Sequence, residues 1–128
     1  MIRSALLGGV LALWAATGQA VTDEPSASQL AFCAGVYEAE VEQSLEDAGP
    51  EALEYQIEAA HIFYALAWAE AGDESRSMLF VDRLDGRNQV VRLSGQSHAQ
   101  SEDELHGHVQ FCSDIQQQFL REDRFRLP

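Results

Sequence analysis

Residues 26–50 read SASQLAFCAGVYEAEVEQSLEDAGP. Ser26 and Gln29 stand three apart, the spacing of a capping box in which each side chain satisfies the other residue's backbone N–H at a helix start. Leu30, Cys33, Tyr37, Val41, Leu45 and Ala48 follow at steps of three and four, the period of one helical face. Gly49 and Pro50 end that helix, and proline is well suited to open the next. One stretch thus predicts a helix, its stop and the start of its successor.

The same pattern runs through most of the chain. A second helix is expected from about Glu51 to Ala71, with Leu53, Ile57, Ala60, Tyr64 and Trp68 on one stripe. Between Ala59 and Ala69 it is apolar almost all round apart from His61, which marks it as the central, most buried helix. Gly72 closes it, and Asp73 is a natural cap for a third, shorter helix from about Glu74 to Leu84. Residues 86–100 are open to three readings: an extension of helix three, a short separate turn, or an irregular loop. A fourth helix begins at a second capping box, Ser101 with Glu104, where Glu102 and Asp103 complement the helix dipole. Its stripe is Leu105, Val109, Cys112, Ile115 and Phe119. The aromatic residues Tyr37, Tyr55, Phe63, Tyr64, Trp68, Phe111 and Phe119 read as core.

Cys33 lies on the stripe of the first helix and Cys112 on that of the last. They are the only cysteines in the chain. A redox-active dithiol would place its cysteines two residues apart, whereas a distant pair reads as one structural disulfide formed in an oxidising compartment. The expected fold is therefore all-α, a small four-helix bundle closed by one disulfide between its first and last helices.

The first twenty residues set the address. Arg3 precedes the uncharged run ALLGGVLALWAA, and Gly18 and Ala20 supply small residues at a cleavage site, the order of a secretory signal peptide. The run turns polar after Ala16, shorter than a spanning helix requires. Residues 1–20 are thus expected to be a cleavable leader, and residues 21–128 a single domain that does not insert into a membrane after cleavage, periplasmic or secreted. Phe32 sits where a lipidation box before Cys33 would need a small residue, and no twin-arginine pair is present.

The charge is lopsided. The chain has 21 acidic residues, 8 arginines and no lysine, a formal net charge of −13. From Asp23 to Glu74 there are carboxylates and not one base, and then Arg76, Arg83, Arg87 and Arg92 come close together. Such a field repels nucleic acid and anionic lipid and attracts cationic proteins. Glu38, Glu42 and Glu46 repeat every four residues along helix one, and Glu51, Glu54 and Glu58 line helix two. Like charges at that spacing weaken a helix by a few tenths of a kcal/mol per pair. They call for a compensating cause: a cationic partner, the arginines of helix three, or solubility alone.

Motifs for chemistry are sparse. Glu58-x-x-His61 puts a carboxylate and an imidazole on one helix face, as in the di-iron sites of helical bundles. A full site needs a second such step, and the nearest is Asp103-x-x-His106. Neither a haem-attachment sequence, a nucleophile elbow nor a phosphate-cradling glycine loop occurs, and no cofactor is implied. The reading is a non-catalytic binding or accessory protein for a cationic partner, with Glu38, Glu42 and Glu46 as candidate contacts. The alternative is a metal-binding bundle or metal-dependent enzyme using Glu58 and His61.

Overall fold

A computed structural model describes residues 24–128. The expected leader, residues 1–20, and the expected mature start at Val21 lie outside the described residues. Ser26 caps α1 (Ala27–Gln43) as anticipated: its hydroxyl accepts from the Gln29 N–H at 3.1 Å, and the Gln29 side chain accepts from the Ser26 N–H at 2.9 Å. The helical run Pro50–Ser94 breaks at Gly72, whose φ of 69° and ψ of 166° suit glycine almost alone, giving α2 (residues 50–71) and α3 (residues 73–94). The last helix is α4 (Ala99–Arg121). Cys33 and Cys112 form a disulfide between α1 and α4, buried at both ends. Among the described residues the chain is all-helical, a bundle of four helices, and no helix is long and apolar enough to cross a membrane. The disulfide points to a compartment outside the reducing cytoplasm.

Contacts fix the topology. Trp68 meets Arg76 and Tyr64 meets Arg83, pairs arranged about Gly72, so α2 and α3 fold back on each other. Glu42 pairs with Arg87 and Gln43 with Ser94, which sets α1 and α3 side by side in the same direction. α4 then crosses α1 at the disulfide, with the Phe32 ring 5.4 Å from His108.

The most buried helix is α1, not α2. Leu30, Ala31, Cys33, Ala34, Gly35, Val36, Ala39 and Val41 are all buried. The small residues among them are the cause, because they let neighbours approach from several sides. The closest approach is to α3. A Cβ added at Gly35 would collide with the Arg83 carbonyl oxygen and lie 2.8 Å from the Arg87 nitrogen. One added at Gly86 would collide with the Phe32 carbonyl oxygen and lie 2.9 Å from its carbon. Two backbones touch here, and only glycine on each side permits it.

On α2 the buried residues are Ala59, Ile62, Phe63 and Ala67, one step round from the expected stripe. Ile57 and Trp68 of that stripe are 49% and 42% exposed. Where nearly every position is apolar, periodicity cannot choose a face. The outward aromatic rings are covered by guanidinium groups instead: Arg76 lies 5.0 Å from the Trp68 ring centre and Arg83 lies 4.8 Å from that of Tyr64. Of the aromatics read as core, Phe63 and Phe119 are buried and Tyr37 and Tyr64 half-buried, whereas Tyr55, Trp68 and Phe111 are exposed.

Three boundaries also differ from expectation: α1 ends at Gln43, so Leu45 and Ala48 of its expected stripe fall in the turn before α2, with Leu45 exposed. α3 does not stop near Leu84 but continues through Gly86 to Ser94, burying Val90 and Leu93, which settles the open segment as mainly an extension of helix three. α4 begins at Ala99, ahead of Ser101. The Ser101 hydroxyl is buried and donates to Gln96 Oε1, so it does not cap the helix. After α4 the chain reverses in a Schellman turn: the N–H of Asp123 reaches the Leu120 carbonyl at 3.2 Å and that of Arg124 reaches Phe119 at 2.7 Å. The strap that follows lays Phe125 edge-on against Phe63 at 5.0 Å. Arg124 holds it down by gripping Glu24 with two N–H groups, at 3.0 and 2.8 Å.

Candidate functional site

The acidic ridge of α1 is largely consumed inside the fold. Arg87 donates twice to the Glu42 carboxylate, at 2.6 and 3.2 Å. Arg83 stands 3.6 Å from Glu38, an ion pair outside hydrogen-bond reach. Both arginines come from α3, so the arginine cluster and the glutamate ridge are two sides of one interface. Glu46 lies beyond the end of α1, exposed in the turn that leads to α2. The structure therefore does not bring Glu38, Glu42 and Glu46 together as one free surface.

The carboxylates of α2 stand differently. Glu51, Glu54 and Glu58 are exposed along its outer edge, and no ion pair to any of them forms among the described residues. They border an open cleft of about 540 Å³, with Tyr55, Ile57, His61, Ile62 and Leu127 completing its lining. A smaller hollow of about 180 Å³ lies between α1 and α2, lined by Glu38, Val41, Glu42, Ile57, Ala60 and His61. Ile57 and His61, both exposed, border both hollows, and the larger one forms an acidic groove along α2.

The groove's walls are fixed from beneath. Gln116, buried on α4, accepts from the Tyr37 hydroxyl through Oε1 and donates from Nε2 to the Tyr55 oxygen at 3.0 Å. One amide thus ties α1, α2 and α4 together and holds the Tyr55 ring where it borders the cleft. Burial, with the Glu40 carboxylate and Tyr55 adding to it, pushes the Tyr37 hydroxyl up to about 12, so it remains a proton donor. Glu40 has its carboxyl raised by burial alone. At the far end the strap that carries Leu127 is anchored by Arg124 and Phe125.

Glu58 and His61 share the outer face of α2, and both are exposed. No group of three His, Cys, Asp or Glu side chains placed to hold a metal ion forms among the described residues. The pair stands as part of the groove's rim.

Tyr55 and Ile57 escape a sequence reading because they resemble core residues. One signal was present. Ile57 stands three residues after Glu54 and four before His61, so it shares their face, and a polar face is turned to solvent. Leu127 carries no such signal, since its place follows from the turn at Asp123. The chain matches no protein-family model, no curated protein and no solved structure.

Proposed function

We propose that this chain is an exported, non-catalytic binding or accessory protein, periplasmic or secreted, that recognises a cationic partner through the acidic groove on α2. The observation that carries the reading is the contrast between two rows of glutamates. The α1 row is occupied by the chain's own arginines, whereas Glu51, Glu54 and Glu58 project beside exposed Tyr55 and Ile57 with no internal partner among the described residues. Solubility alone accounts for scattered surface acids but gives no reason to flank a half-exposed isoleucine and tyrosine with them. The leader-like residues 1–20 and the disulfide support export.

The test is thermal unfolding with a small cationic protein at stoichiometric concentration. The reading expects a saturable rise in melting temperature that shrinks as sodium chloride is added, because ionic contacts at the surface are screened. The triple variant Glu51→Gln, Glu54→Gln, Glu58→Gln should lose the rise while keeping its own fold. If salt alone raises the melting temperature, equally in parent and variant, and no saturable partner effect occurs, the acids serve solubility.

A further inference from the structure

We propose that the occupant of the groove is an amphipathic helix of another protein, carrying basic residues one turn apart beside an apolar stripe. This rests on the reading above and names its partner's form. Glu51, Glu54 and Glu58 stand at steps of three and four, a row of charge roughly 10 Å long at the rise of an α-helix. A helical partner lying along α2 presents side chains at the same interval, which an extended strand does not. Next to that row the floor offers half-exposed Ile57 and Tyr55, with Leu127 beyond, as seats for the partner's apolar stripe.

The molecule already contains this contact once. α3 lies along α1 with Arg83 and Arg87, four residues apart, set against Glu38 and Glu42, also four apart. A basic helix on an acidic helix is therefore a packing this chain makes within itself, and the edge of α2 presents a second acidic row for it. A second copy of the chain is a poor occupant. Arg83 and Arg87 are engaged by its own α1, and two molecules of net charge −13 repel. The tether from Gln116 to Tyr55 and the anchored strap keep the groove formed before binding, which lowers the ordering cost of docking.

The test uses the purified, disulfide-closed protein and a labelled synthetic peptide of about 18 residues, long enough to form a helix on docking. The peptide has arginines at positions i, i+3 and i+7 flanking a leucine stripe. A control peptide has the same composition in an order that scatters both sets round the helix. Fluorescence anisotropy is read at about 50 mM and about 500 mM sodium chloride, a span over which the screening length shortens severalfold. The expected result is one-to-one binding of the patterned peptide, weakened by salt, with the scattered peptide about tenfold weaker. Ile57→Ser and the pair Glu54→Gln, Glu58→Gln should each weaken it by about tenfold, whereas Glu102→Gln with Asp103→Gln on α4 should not. These side chains are all exposed, and unchanged melting curves confirm that each variant keeps the fold. Equal affinity for both peptides with Ile57→Ser silent would overturn the helix proposal and leave the cationic-partner reading standing. Loss of affinity in the α4 variant as large as in the α2 variant would overturn it too, by assigning binding to the general field. Binding of neither peptide would remove both.

Discussion

Replacing Gly86 by alanine places one methyl group where the backbones of α1 and α3 touch. In the interior of a helix the exchange should stabilise by about 1 kcal/mol, because glycine is the poorer helix former. Here the new Cβ overlaps the Phe32 carbonyl oxygen and lies 2.9 Å and 3.2 Å from the carbonyl carbon and Cα of that residue. All three are backbone atoms, so no side chain can swing away, and the helices must part by roughly an ångström to restore van der Waals distance. Parting them loosens Leu79 and Val90, both buried on the same helix. Overpacking of this kind costs about 1–3 kcal/mol, at the upper end for rigid neighbours. The net expectation is a loss of about 2 kcal/mol. Gly107 is the matched control: it lies inside α4, and a Cβ there meets nothing within 4 Å. Gly107→Ala should therefore gain about 1 kcal/mol. Urea unfolding followed by circular dichroism reads both, and in the melting temperature of a domain this size each kcal/mol is worth about 4 °C or more. Gly35→Ala faces the same crossing, so the double variant with Gly86→Ala should lose less than the two single losses together. If Gly86→Ala proves as stable as the parent, the backbones do not meet there and the account of α1 as the buried centre fails.

Replacing Cys33 and Cys112 together by alanine opens a loop with a sequence separation of 79; the chain-entropy cost is up to about 4.5 kcal/mol, which should appear as a large fall in melting temperature with helical circular dichroism retained. Non-reducing peptide mapping of the parent should recover the two cysteines joined within one chain. Glu40→Gln should raise stability at neutral pH: burial raises the Glu40 carboxyl in the folded state, so its protonated form is favoured by folding, and that contribution is present at low pH and lost as pH rises through the raised value. The variant's advantage in melting temperature should accordingly vanish below the ordinary carboxylate range; an advantage constant with pH would contradict the burial of Glu40. Asp123→Gly should hold or gain up to about 1 kcal/mol in the same melts, because Asp123 sits at φ 57° in the Schellman turn, where glycine carries no Cβ penalty. The intact mass of the exported protein should match a chain beginning at Val21 less two hydrogens; a full-length species would contradict the leader reading.

Punctuation residues made much of this architecture legible. Ser26 and Gln29, Gly49 and Pro50, and Gly72 each impose a local conformation that depends little on surroundings. They mark the start of α1, the start of α2 and the break between α2 and α3, whereas the end of α1 at Gln43 falls ahead of Gly49. The cysteine pair was legible because both residues occupy apolar stripes. What escaped was relational. The path of the chain after Leu84 is open in the sequence, and Gly86 proves to be an opening for Phe32, a fact that resides in another helix. Ser101 looked like a cap until Gln96 took its hydroxyl. The face of α2 could not be read between Ala59 and Ala69, where its apolar run is nearly continuous. The arginines of α3 were recognised as possible partners for the α1 glutamates, but only the fold shows Arg83 and Arg87 opposite Glu38 and Glu42 while the edge of α2 remains open.

The position of the disulfide has a mechanical consequence. Cys33 and Cys112 sit near the two ends of the folded part, so a pull on the chain's ends runs through the sulfur bridge and bypasses residues 34–111. Only the segments outside the bridge can lengthen while the bond holds. Those outer segments are themselves clasped by Arg124 on Glu24. The α2–α3 hairpin, with the groove's carboxylates and Ile57 upon it, therefore lies outside the path of tension. Tethered at either end to a larger assembly or a surface, the molecule would keep the glutamate row and Ile57 off the load, which would fall instead on Leu127 and on the Gln116 tether to Tyr55, both C-terminal to Cys112.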